Sequence, residues 1–97
     1  MSTFISLVNF TDQGIRNVKD TTKRAELAAK VAKKHGAKMK DVYWTLGGYD
    51  MVVVFEAKDD AAMTALGLSL GKAGNVRTQT MRAFGKDEMN KILGKVA

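Results

Sequence analysis

The segment Met39-Lys40-Asp41-Val42-Tyr43-Trp44-Thr45-Leu46-Gly47-Gly48-Tyr49-Asp50-Met51-Val52-Val53-Val54-Phe55-Glu56-Ala57 holds the fold in outline. Two β-prone runs, Met39 to Leu46 and Tyr49 to Ala57, flank a Gly-Gly pair, which is the pattern of a hairpin. With a loop of two or four residues, even-numbered positions of the first arm face odd-numbered positions of the second. One face then collects Val42, Trp44, Leu46, Tyr49, Met51, Val53 and Phe55 and reads as core. The other collects Asp41, Tyr43, Thr45, Asp50, Val52 and Val54, apolar in the middle with polar groups around it.

Upstream, Thr3 to Phe10 reads TFISLVNF, a strand apolar on both faces and therefore central in a sheet, ending at the cap and turn cluster Thr11-Asp12-Gln13-Gly14. Ile15 to His35 follows as a helix. A break is expected near Asp20-Thr21-Thr22, where three side chains compete for backbone hydrogen bonds. Beyond it Leu27, Ala28, Val31 and Ala32 recur at helical spacing, the alanines allow close approach to a sheet, and Gly36 stands where a left-handed cap is needed.

Downstream, Asp59 and Asp60 can cap a second helix whose buried stripe is Ala62, Met63, Leu66 and Leu70, with Gly74 as its stop. Val76 to Phe84 is a fourth strand with Thr78, Thr80 and Arg82 on one face and Arg77 and Gln79 on the other, so neither face reads as pure core. Met89, Ile92, Leu93 and Val96 mark Asp87 to Val96 as a short docking helix. The sequence holds no linker, repeat or low-complexity stretch, so residues 1–97 are expected to form one domain. The order β-α-β-β-α-β fits the split βαβ arrangement, an α+β fold with both helices on one side of an antiparallel sheet. The other side is then bare, exposing Tyr43, Val52, Val54 and part of the first strand, and a second copy related by two-fold symmetry is the simplest cover.

Composition narrows the chemistry. The 97 residues are 45% hydrophobic and 27% charged, ordinary for a globular domain. The absence of cysteine excludes disulfides, thiol nucleophiles and thiolate metal sites, and one histidine, His35, is too few for a usual structural zinc site. No metal or cofactor is expected. No run approaches the roughly 18 apolar residues of a membrane span, and Met1 to Phe10 lacks the features of a secretory signal, so a cytoplasmic location is expected. The formal charge of +6 comes largely from lysines on the first long helix, Lys19, Lys23, Lys30, Lys33 and Lys34, which is the composition of a solvated helix face.

Several segments resemble the GYD-domain family, named for the tripeptide that stands here as Gly48-Tyr49-Asp50. The likeness runs from Phe10-Thr11-Asp12-Gln13-Gly14-Ile15 through Lys23-Arg24-Ala25-Glu26 and Tyr43-Trp44-Thr45-Leu46-Gly47-Gly48-Tyr49-Asp50 to Gly74-Asn75-Val76-Arg77-Thr78. The family often has a proline before the Arg24 position, whereas this chain has Thr22 there and no proline anywhere. The resemblance implies a ferredoxin-like fold of the dimeric α/β-barrel type. It implies no single activity, since related barrels serve as oxygenases, isomerases, haem enzymes and ligand sensors.

Six residues stand out as candidates for ligand binding: Arg24, Trp44, Tyr49, Asp50, Thr78 and Thr80. A carboxylate at Asp50 beside an aromatic ring can accept a proton, or it can satisfy turn amides. Arg24 can clamp a ligand carboxylate or pair with Asp50 or Glu26. His35 can ligate haem, or simply end a helix. Trp44, Tyr49, Met51 and Phe55 can line an apolar pocket or form plain core. Thr78, Thr80 and Arg82 give a half-polar strand face that needs water, a partner or a ligand. The leading expectation is a self-associating module that binds a small organic molecule. The alternative is a cofactor-independent oxygenase or isomerase with Asp50 or Tyr49 handling a proton. Nucleic-acid binding ranks below both, because the chain lacks the glycine-punctuated aromatic strands with which such sheets stack on RNA.

Overall fold

The computed structural model describes residues 1–97. Strand β1 (Ser2–Phe10) leads through a five-residue helix α1 (Asp12–Arg16) and a 3₁₀ turn (Val18–Asp20) into α2 (Thr21–Lys34). The hairpin β2 (Ala37–Trp44) and β3 (Met51–Ala57) follows, then α3 (Asp60–Lys72), β4 (Val76–Ala83) and α4 (Lys86–Leu93). The expected break in the first helical segment is present but lies earlier, at Asn17 to Asp20. There the chain turns before the long helix begins at Thr21.

The four strands form one antiparallel sheet in the order β2-β3-β1-β4, the ferredoxin-like arrangement. Both central strands are apolar on both faces. In β3, Met51, Val53, Phe55 and Ala57 are buried while Val52, Val54 and Glu56 are only partly covered. In β1 the buried residues are Phe4, Ser6 and Val8. These point toward α2 and α3, which supply Ala32 and Ala62, Met63 and Leu66 to the same core. Alanines on α2 let the helix approach the sheet closely, and Ala32 is fully buried.

The hairpin keeps the expected parity near its loop, with Trp44 opposite Met51 and Val42 opposite Val53. A bulge between Met39 and Asp41 then shifts β2 by one residue, so that Met39 faces Phe55 and Ala37 faces Ala57. An extra residue reverses the alternation beyond it, so odd-numbered Ala37 and Met39 join the helix-covered side. Two residues correct the face drawn from parity. Leu46 is wholly exposed, and the Tyr49 hydroxyl donates to Gln79 Oε1 at 2.8 Å. Gln79 lies opposite Leu7, on the side away from the helices. Both residues sit in the loop rather than the ladder, where parity has no hold.

The C-terminal helix is a further correction. Its apolar residues Met89, Leu93 and, just beyond it, Val96 remain exposed, so it does not dock as expected. Its anchor is Arg82, whose guanidinium meets Glu88 at 2.8 Å and lies 4.5 Å from the Phe84 ring centroid. The molecule measures 50 × 30 × 18 Å, two layers thick at its thinnest. Its radius of gyration of 14.5 Å exceeds the roughly 12.5 Å of a compact chain this long. No helix is long and apolar enough to cross a membrane.

Candidate functional site

A cleft of about 220 Å³ opens between α2 and α3 above the middle of the sheet. It exists because α2 packs chiefly against β2 and α3 chiefly against β4, so the two helices touch each other little. Its walls are apolar, including Val31, Met39, Met51, Leu70 and Val76, and its floor carries Ser6 and Thr80. Their hydroxyls are 2.7 Å apart. Ser6 is a polar residue buried in an otherwise apolar strand, and Thr80 is its neighbour across the β1–β4 ladder.

The candidate residues divide. Arg24, Thr78 and Thr80 line the cleft; Trp44, Tyr49 and Asp50 lie outside its lining. The Trp44 indole N–H donates to Thr21 Oγ1 at 3.0 Å, which fixes the hairpin end to the start of α2. Tyr49 reaches the open face of the sheet through its bond to Gln79. The Asp50 carboxylate accepts the Phe10 amide at 2.8 Å, while its own amide donates to Val8 O at 2.8 Å. The carboxylate therefore ends β1, satisfying an amide that the ladder has ceased to pair. Arg24 forms no ion pair with Asp50 or Glu26; the chain's salt bridges are Lys40–Glu56 and Arg82–Glu88. It donates instead to Asn17 O at 2.7 Å and Gly14 O at 3.1 Å, and sits 5.8 Å from the Phe10 ring centroid. His35 approaches Ser69 Oγ at 3.2 Å and links the end of α2 to α3. No group of three or more His, Asp or Glu residues is placed to hold a metal ion.

Part of the segments that carried the sequence resemblance meets at one junction, from which Phe10, Arg24 and Asn75 line the cleft. Thr11 bonds the Gly74 carbonyl through its hydroxyl and the Asn75 carbonyl through its amide, and Gln13 Nε2 reaches Asn75 Oδ1 at 2.9 Å. Gly14 is pressed so closely on Asn75 that a Cβ there would lie 2.0 Å from the Asn75 carbonyl oxygen. Gly74 has φ +90°, a left-handed conformation open to glycine at little cost. With Asp50 on Phe10 and Arg24 on Gly14, this junction ties the β1–α1 turn, the hairpin end and the α3–β4 turn together. Sequence reading missed Ser6 and the carbonyl contacts of Arg24. Ser6 was detectable as the one small polar residue in the middle of TFISLVNF; the Arg24 contacts depend on how the turn before α2 folds back.

The open side of the sheet is the second candidate surface. It presents Ile5 and Leu7 from β1, Tyr43 from β2, Val52 and Val54 from β3 and Met81 from β4, with Tyr43 59% and Met81 45% exposed. Lys38 and Glu56 from the β2–β3 ladder and Arg77 from β4 fall on the same side of the sheet, so charged residues border this apolar strip.

Comparison with known proteins gives the family and the fold. The GYD domain model matches residues 4–93. A Thermus thermophilus protein described as a glutamine synthetase and cystathionine beta-lyase binding protein is 36% identical over 85 residues, covering 87% of this chain and 90% of that one. The crystal structure of a protein from Thermus thermophilus superposes with a TM-score of 0.55 at 22% identity, over 88% of this chain and 95% of that one. MtbAldR gives a TM-score of 0.66 at 13% identity over 88% of this chain, which spans 52% of that longer protein. At such identities the two structures speak for the ferredoxin-like fold alone. The match over residues 4–93, together with the Thermus relative, establishes that this chain belongs to the GYD-domain family.

Proposed function

We propose that this protein is a self-associating binding module: two copies pair through their open sheet faces, and each holds a small organic molecule in the cleft between α2 and α3. The observation that carries this reading is the uncovered apolar face. The chain exposes 6682 Å², whereas a monomer of 10.6 kDa ordinarily exposes about 5,500 Å². The excess of about 1,200 Å² exceeds the roughly 800 Å² that each partner contributes to a standard interface. Ile5, Leu7, Val52 and Val54 form a continuous strip across the two central strands, which a two-fold axis can lay against itself. Analytical ultracentrifugation of Val54→Lys against the unsubstituted protein tests it: the variant sediments as a monomer at concentrations where the parent is paired, and equal behaviour of the two refutes the interface.

Binding to another protein is a second reading, favoured by the Thermus relative, whose description names two enzymes as its partners. Co-purification of this chain with glutamine synthetase from the same cells tests it, and α2 and the free end of α4 are the surfaces left for such a partner once the sheets pair. The alternative of a cofactor-independent oxygenase or isomerase draws less support. A proton-handling residue must reach the substrate, yet the Asp50 carboxylate is bonded to Phe10 N and the Tyr49 hydroxyl lies on the far side of the sheet from the cleft.

A further inference from the structure

We infer that the cleft takes an organic carboxylate with an apolar body and a second oxygen, its carboxylate held by Arg24 and its distal oxygen by the Ser6–Thr80 hydroxyl pair. The inference rests on the small-molecule reading of the cleft and names the class of molecule.

Charge selects the anion. Arg24 is the one charged side chain that lines the cleft, and no aspartate or glutamate lines it. Its guanidinium carries five N–H donors, of which the contacts to Asn17 O and Gly14 O use two. Both acceptors are neutral carbonyls, and no carboxylate of the chain pairs with it. The walls therefore leave a cation with spare donors above an apolar cavity. A desolvated carboxylate is the complement of that arrangement, and charge-assisted hydrogen bonds are the strong ones.

The floor selects the second oxygen. Ser6 is 2% exposed, and the only hydrogen bond of its hydroxyl is with that of Thr80. Two hydroxyls bring two protons and their shared bond uses one, so the pair retains one donor, together with acceptor lone pairs, facing the cleft. A hydroxyl or keto oxygen satisfies it. Arg24 lies over Phe10, four residues along β1 from Ser6, a separation of about 13 Å along the strand. A chain of six to ten carbons spans from one end toward the other, between walls that include Met39 and Met51.

Amide chemical-shift titration of the full chain with octanol, octanoate and 8-hydroxyoctanoate tests the assignment. Octanoate is expected to bind about tenfold tighter than octanol, and 8-hydroxyoctanoate a few-fold tighter again. Arg24→Met reduces octanoate to the affinity of octanol. Because Arg24 also braces the turn before α2, Thr78→Glu provides a second variant with that brace intact: the added anion in the cleft weakens both carboxylates about tenfold more than it weakens octanol. Ser6→Ala removes the advantage of the hydroxy acid alone. Octanol binding as tightly as octanoate, with Thr78→Glu without effect, overturns the anionic class while cleft binding itself stands. No shift of Ser6, Met51 or Thr78 amides with any of the three at several millimolar overturns the small-molecule reading together with this one.

Discussion

The two faces of the sheet are built from the same central strands with similar side chains, and they end in opposite states. On the helix side Val53 and Phe55 are among the least accessible residues in the molecule; one position away, Val52 and Val54 face outward and are only partly covered. The difference lies in what covers each face. Burial stabilises an apolar side chain only when something displaces its water, at about 25 cal/mol per Å². Two helices do this for one face, and nothing in the chain does it for the other. That uncovered apolar face is what the proposed pairing of two copies would bury.

The largest expected effect breaks or upholds this contrast directly. Phe55→Ala removes a ring that is 2% exposed and should destabilise the monomer by about 3–5 kcal/mol in urea denaturation. Val54→Ala, the adjacent residue on the open face, should cost the monomer less than about 1 kcal/mol. Equal losses at low protein concentration would mean that the open face is already packed within one chain.

A smaller effect is expected at the margin where the two faces meet. Asp50→Ala leaves the Phe10 amide without its acceptor and should cost about 1–2 kcal/mol. If Asp50 served a ligand rather than the strand end, thermal melting would be unchanged by the substitution and only ligand affinity would fall.

Smaller still is the pH response at the far end of the sheet. The hydrogen bond from Arg82 holds the Glu88 carboxyl below the ordinary glutamate range; desolvation opposes it, and the Arg82 charge and the Gly85 amide add smaller lowering effects. Because the folded value is depressed, the stabilisation is complete above the unfolded value, near 4.3, and is lost as pH falls through the folded one. Protection of the α4 amides, relative to their intrinsic exchange rates, should therefore fall below about pH 4 while protection in β1 and β3 stays constant. Glu88→Gln should remove the pH dependence; its persistence in that variant would assign the effect elsewhere.

The sequence made the central strands legible because Met51 to Phe55 is a continuous apolar run beside a Gly-Gly pair, and because TFISLVNF carries apolar residues at both odd and even positions. What escaped it has local causes. The bulge between Met39 and Asp41 reverses the parity of β2 without any glycine to announce it. Tyr49 and Leu46 leave the ladder in the loop. Helical periodicity in the tail gives the apolar side of α4 but not a surface to receive it. Of the candidate site, Thr78 and Thr80 were legible as a half-polar strand face and Arg24 as a cation one turn before the apolar stripe of α2. Their assembly around Ser6 depends on the β1–β4 register, which pairs Ser6 with Thr80 across a sequence separation that no local pattern encodes.

Native mass spectrometry of the gently purified protein, with Val52→Lys/Val54→Lys run beside it, tests the central claim most directly. The account predicts an even-numbered oligomer for the parent and a folded monomer for the double variant. A parent that remains monomeric at high micromolar concentration, or a double variant that associates as the parent does, would contradict it.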